Sequence, residues 1–115
     1  MGIIFCLNNI AMENKLINKI IETVCHIEKY PLMHMPEKDY KSLKNYLMGY
    51  LFAVDDTLSL DLVSRLSKWL PYPKRSSLYW TEYIYVVLAK KDETLAYQLT
   101  TEKLKEFLNS LLQEE

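Results

Sequence analysis

Two histidines and two cysteines are the side chains best suited to bind a metal ion or to transfer a proton. Cys25, His26 and His34 lie close together along the chain. Neither their spacing nor their number fits the four-ligand pattern of a zinc site. We therefore interpret both histidines as residues at helix edges, and Cys6 and Cys25 as reduced thiols that pack in the interior.

Other catalytic chemistry has little support in the sequence. The only two glycines, Gly2 and Gly49, cannot form a glycine-rich phosphate loop. Local context suggests no Ser-His-acid or Cys-His site, and the carboxylate pairs Asp55-Asp56 and Asp92-Glu93 lack apolar surroundings that would tune a catalytic acid. We expect no enzyme activity, no metal and no cofactor, and an enzyme with dispersed residues around the histidines is a remaining alternative.

Length and charge limit the classes of protein and partner. The 115 residues are typical of one domain, 1–115, whose residues 1–12 are a tail or an upstream start. A formal net charge of −1 leaves no excess of Lys and Arg to bind nucleic acid directly. The first eleven residues lack the positive charge of a secretory signal and are too short to span a bilayer, so we expect a cytoplasmic protein without a membrane partner.

The elements that must position any site are predicted to be helices. Apolar residues recur at three- and four-residue steps, which predicts an all-α bundle of four to five helices. Their predicted ranges are 13–28, 39–54, 59–70, 79–88 and from 92 onward. The segment 79–88 is rich in strand-forming residues, and a minor strand is the alternative there and at 3–7. Helix is preferred for 79–88 because four apolar residues share helical spacing: Trp80, Ile84, Val87 and Leu88.

The helix predicted at 39–54 is interpreted as the central one, with Asp39 as its N-cap. Gly49 interrupts its apolar face and predicts that another element crosses closely there. Thr100-Thr101 predicts a kink or a break in the last helix, which is expected to begin after an Asp92 cap and to bury Leu95. Four residues are predicted to be core: Leu47, Leu66, Ile84 and Phe107.

Asp55 and Asp56 follow the predicted end of the second helix, where negative charge opposes the helix dipole. Two interpretations are open. The carboxylates either cap the next helix or form an acidic contact patch together with Asp61. Nine tyrosines, a high number for this length, suit either half-buried edges of the core or a protein interface.

The chain also resembles a small bacterial family of helical immunity proteins from toxin/immunity systems, including contact-dependent growth inhibition. The family has a proline-x-Met-Tyr segment followed by a helix with a Gly-Tyr pair. The matching residues are Tyr30 to His34, Leu43, Tyr46-Leu47, Gly49-Tyr50, Trp80, Ile84, Asp92-Glu93, Ala96-Tyr97 and Glu106-Phe107. The pattern runs from about Ile20 onward, has no catalytic signature, and departs at His34, where the family has an aromatic residue.

The resemblance implies stoichiometric binding to a cognate toxin domain, most readily a nuclease whose basic surface attracts carboxylates. A different helical adaptor or regulator, such as a phage-encoded inhibitor or a subunit of a complex, is the alternative. The candidate partner-binding residues are Asp55, Asp56, Asp61, Tyr79, Glu82, Tyr83 and Tyr85.

Overall fold

A computed structural model describes the backbone of residues 2–71 and 78–113 and the side chains of residues 9–71 and 78–113. Helix α1 spans Gly2–Lys29. Its buried face is the predicted one, with Ile17, Ile20, Val24 and Ile27 at most 3% exposed. The prediction of a strand at 3–7 is wrong, because this segment continues the helix without a glycine or proline to interrupt it. The side chain of Cys6 and residues 72–77 lie outside the described residues.

Helix α1 ends before Pro31, as proline disfavours helical backbone in the residue that precedes it. A short 3-10 helix, Pro31–Met33, turns the chain toward α2. At the other side of the molecule, Asn14 joins α1 to the end of the described chain. Its amide donates to the Gln113 carbonyl over 2.6 Å and its oxygen accepts from the Gln113 N–H over 3.0 Å.

Helix α2 spans Tyr40–Leu58 and begins as predicted at Asp39, whose carboxylate accepts from the Ser42 N–H over 2.8 Å. It runs past the predicted end at residue 54, so Asp55 and Asp56 lie in its last turn. The Asp55 carboxylate accepts from the backbone N–H of Leu62 at 2.6 Å and of Val63 at 3.0 Å. These amides belong to the first turn of helix α3, Leu62–Trp69. Asp55 is therefore a cap of α3, which explains a carboxylate at the C-terminus of α2.

The prediction for Gly49 is wrong. The residue is exposed, and a Cβ atom added to it would meet nothing within 4 Å. No other described element crosses α2 at this point. Glycine in a helix interior costs roughly 0.5–1 kcal/mol of stability relative to alanine. No close contact within the described chain offsets this cost at Gly49.

The helix predicted at 79–88 is confirmed, although its second half has a wider turn. Helix α4, Trp80–Tyr83, continues into a π-helix, Ile84–Leu88. The Ala89 N–H donates to the Ile84 carbonyl over 2.8 Å, which is the five-residue bond that defines this geometry. The wider turn rotates the later residues, so Val87 is 40% exposed although its spacing predicted burial.

Helix α5 spans Glu93–Ser110 and begins as predicted, with Asp92 accepting from the Leu95 N–H over 3.0 Å. Leu95 is exposed, and Ala96 is buried in its place. The predicted break at Thr100-Thr101 is wrong. The buried Thr100 hydroxyl donates to the Ala96 carbonyl over 2.7 Å, which satisfies it inside a continuous helix.

The core forms where α5 packs against α1, α2, α3 and the π-helix. Helix α5, not α2, is therefore the central element. The four predicted core residues are confirmed, since each is at most 1% exposed: Leu47, Leu66, Ile84 and Phe107. Cys25 is an exposed free thiol, so the prediction that it packs in the interior is wrong. The described helices form an all-α bundle, and none of them is long and apolar enough to cross a membrane.

Candidate partner-binding cleft

The three predicted acidic residues lie around the junction of α2 and α3. Asp56 and Asp61 are exposed, whereas Asp55 is half-buried and caps α3. Asp61 has a left-handed backbone with φ of 55°, a conformation that aspartate tolerates better than most residues. Only Asp56 and Asp61 of this group therefore present carboxylates that have no structural role among the described residues.

The four predicted residues near α4 have different environments. Tyr83 is 2% exposed and its hydroxyl donates to the Pro71 carbonyl over 2.6 Å, so it belongs to the core and cannot lie on a contact surface. Tyr79 is exposed. Glu82 pairs with Lys44 at 3.0 Å. The fourth residue, Tyr85, stacks on another tyrosine in the cleft described below.

The predicted set divides into two separate groups. Lys44, the partner of Glu82, and Asp55 lie eleven residues apart on α2. At 1.5 Å per residue this is about 16 Å along the helix axis. The acidic group at the α2–α3 junction and the group around α4 therefore do not form one small site.

The group around α4 borders a cleft that we call the tyrosine–carboxylate cleft. It consists of two adjoining cavities of about 440 Å³ and 410 Å³. Tyr40 and Glu93 line both cavities, so they lie at the junction. The charged and tyrosine side chains that line the cleft are Glu28, Lys38, Asp39, Tyr40, Lys41, Lys44, Glu82, Tyr85, Glu93 and Tyr97.

Tyr40 forms the fixed wall between the two cavities. Its ring stacks on Tyr85 with centroids 5.5 Å apart and an interplanar angle of 14°. Its hydroxyl donates to the Thr81 carbonyl over 2.6 Å. Burial raises the pKa of Tyr40 to about 12, so this side chain stays neutral and in place at physiological pH.

Tyr97 lies in the larger cavity and has an unsatisfied hydroxyl. The oxygen is inaccessible to solvent and has no hydrogen-bond partner among the described residues. Burial is the main cause that raises the pKa of Tyr97, and the negative charges of Glu28 and Asp39 raise it further. Because solvent cannot reach this oxygen, a partner in the cleft can contact the half-buried ring of Tyr97 but not its hydroxyl.

The carboxylates of the cleft differ in how far they are neutralised. Glu28 pairs with Lys105 at 2.6 Å, and this hydrogen bond raises the pKa of Lys105. Asp39 is held as a cap by Ser42, whose backbone N–H lowers the pKa of Asp39. Glu93 is exposed and has no ion pair within the described part of the chain. The junction of the two cavities therefore presents a carboxylate without a direct ion pair among the described residues, in a cleft that Lys38 and Lys41 also line.

Sequence reasoning included Glu82 and Tyr85 in the site but missed Tyr40, Glu93 and Tyr97. Tyr40 was assigned to an apolar helix face and Glu93 to the first turn of a helix, and both assignments are correct locally. No local pattern signals that these residues meet, because the cleft joins α1, the start of α2, α4 and the start of α5.

The two histidines form a separate hydrogen-bonded chain. His26 Nδ1 lies 2.6 Å from His34 Nε2, and His34 Nδ1 lies 3.0 Å from the Tyr46 hydroxyl. This chain connects the end of α1 with the loop and with α2. Both residues lie at helix edges or in the loop as expected, and in the described part of the chain no group of three His, Cys, Asp or Glu residues could hold a metal ion.

Comparison with protein-family models, curated proteins and solved structures gives no match to this chain.

Proposed function

We propose that this protein is a cytoplasmic immunity protein that binds a bacterial toxin domain, a nuclease, in a stoichiometric complex and thereby blocks the toxin. The observation that supports this function best is the tyrosine–carboxylate cleft, with Glu93 at the junction of its cavities and without an ion pair among the described residues. The resemblance to immunity proteins indicates the class of partner.

The cleft has the properties of an anchor site for a protein. Tyrosines provide large contact areas with little loss of side-chain entropy, and their hydroxyls add hydrogen bonds. Tyr85 and Tyr97 are half-buried at the cleft, and stacking on the buried Tyr40 holds Tyr85 in place. A preformed site of this kind reduces the ordering cost of binding.

The Glu93 carboxylate, which has no ion pair among the described residues, suits a basic group of a partner. A nuclease domain carries lysines and arginines that bind its nucleic-acid substrate. A guanidinium or ammonium group that enters the cleft would meet the Glu93 carboxylate, with which it can form a charge-assisted hydrogen bond. In this arrangement the immunity protein occupies the basic groups that the toxin needs for its substrate.

The experiment is coexpression with the toxin gene next to this gene, scored by cell survival. Glu93→Lys should abolish protection and weaken the purified complex, and Glu93→Gln should have an intermediate effect. Glu102→Lys is the matched control, because Glu102 is an exposed residue of α5 nine positions later, which is about the opposite side of the helix.

Protection that is equal for the unchanged protein, Glu93→Lys and Glu102→Lys would exclude the cleft as the toxin site. Cells that die as quickly with the protein as without it would refute the immunity function itself. Recovery of a stable non-toxin complex from the native host would then favour the adaptor or regulator.

A further inference from the structure

One face of α2 is exposed along nearly the full length of the helix. It includes an aromatic residue, Phe52, which is 72% exposed. Six exposed residues lie on this face at steps that keep to one side of the helix: Lys41, Asn45, Gly49, Phe52, Ala53 and Asp56. We call these six residues the α2 face, of which Lys41 and Asn45 also line the smaller cavity of the tyrosine–carboxylate cleft.

The centre of the α2 face is unusually bare. Gly49 has no side chain, and no described atom would lie within 4 Å of an added Cβ. The next residue on the same side one turn later, Ala53, is also small and exposed. Small residues at a four-residue step let a second helix approach closely, and Phe52 beside them can pack over its backbone.

The ends of the α2 face carry opposite charges. Lys41 lies in the first turn of α2, and Asp56 lies in the last turn. They are fifteen residues apart, which is about 22 Å along the helix. The midpoint between them falls at residues 48 and 49, beside the bare centre.

We propose that the α2 face binds a second copy of this chain, with the two α2 helices antiparallel about a twofold axis next to Gly49. Because the axis lies between residues 48 and 49, residue i of one copy faces residue 97 − i of the other copy. Lys41 of each copy therefore faces Asp56 of the other, and Phe52 of each copy faces Asn45 of the other.

Charge complementarity selects the second copy and its orientation. A twofold axis repeats each contact, so one surface must be complementary to itself. The antiparallel arrangement places opposite charges at both ends and also opposes the two helix dipoles favourably. A parallel pair would instead place Lys41 against Lys41 and Asp56 against Asp56, which is unfavourable.

The test is sedimentation velocity over about 1 µM to 1 mM protein, a range that covers weak to moderate association. Lys41→Glu alone and Asp56→Lys alone should each raise the dimer dissociation constant by about tenfold, since each turns two attractive rim contacts into repulsive ones. The double variant Lys41→Glu/Asp56→Lys should restore association.

A mixture of the two single variants gives the most specific result. Each variant repels itself, because the substitution places like charges against each other at both ends of the face. In a mixed pair, the new glutamate of one copy faces the new lysine of the other at one end, and the unchanged Lys41 faces the unchanged Asp56 at the other end. Equimolar mixing should therefore give a dimer about as tight as that of the unchanged protein, and about tenfold tighter than the dimer of either variant alone.

A bulky substitution at the centre provides a second measurement. Gly49→Leu should keep the fold, because open space surrounds the residue, and should abolish dimerisation. Far-ultraviolet circular dichroism and thermal melting confirm that each variant is folded. A chain that is monomeric at the highest concentration, or a dimer whose dissociation constant is unchanged by all of these substitutions, would overturn the proposal.

Discussion

The Asp55 cap leads to the most direct prediction about stability. Its carboxylate accepts two backbone hydrogen bonds, from Leu62 at 2.6 Å and from Val63 at 3.0 Å. Helix α3 has only eight residues, and its N-cap position, Asp61, makes no side-chain capping bond. Asp55 is thus the described side chain that satisfies the first amides of a short helix.

The size of the effect follows from opposing contributions. Loss of a helix cap typically costs about 0.5–2 kcal/mol, and a hydrogen bond to a charged group contributes about 1.5–3 kcal/mol. Removing a carboxylate from the last turn of α2 stabilises that helix by about 0.3–1 kcal/mol, because negative charge there opposes the helix dipole. We therefore expect Asp55→Ala to lower the free energy of unfolding by about 0.5–2.5 kcal/mol.

Urea denaturation followed by circular dichroism measures this change, and Asp56→Ala is the matched control. Asp56 is the exposed neighbour and makes no hydrogen bond among the described residues, so its substitution should change stability by less than about 0.5 kcal/mol. In a thermal melt, Asp55→Ala should reduce Tm by roughly 3–6 °C per kcal/mol for a chain of this length. Equal and small effects of both substitutions would show that the Asp55 hydrogen bonds do not stabilise α3.

Two further predictions concern α2. Gly49→Ala should raise the free energy of unfolding by up to about 1 kcal/mol in urea titration of dilute protein, since alanine gains helix propensity and has room; a loss of stability would mean that the site is crowded. Burial raises the pKa of Tyr40 to about 12 in the folded protein, whereas an unfolded tyrosine ionises near pH 10. The contribution of Tyr40 to the free energy of unfolding should therefore be full below about pH 10 and should be lost as the pH rises toward 12, because the unfolded chain ionises first. Tyr40→Phe should lower the free energy of unfolding by about 0.5–1.5 kcal/mol at about pH 8, because the hydrogen bond to Thr81 is lost. The same substitution should flatten the decline in the urea midpoint between about pH 10 and 12. A decline that is unchanged in Tyr40→Phe would show that other groups cause it.

Local patterns in the sequence are sufficient to predict the fold class and much of the core. Apolar residues at three- and four-residue steps place Ile17, Leu47 and Leu66 on buried helix faces, and these positions are fully buried. Asp39 and Asp92 act as caps because a carboxylate bonds to amides only three residues away. Both kinds of signal depend on residues within a turn or two of each other, so they can be read without knowledge of the tertiary structure.

Features that depend on residues far apart in the sequence follow only from how the helices pack. The sequence cannot show that Gly49 lies on an open face, or that Asp55 caps a helix that begins seven residues later. It predicted Glu82 and Tyr85 as contact residues, but the cleft exists only because the packing of α5 brings Glu93 and Tyr97 to Tyr40. Periodicity records which side of each helix is apolar, whereas the polar residues that meet across helices are set by how those helices pack, and no spacing along one helix encodes that.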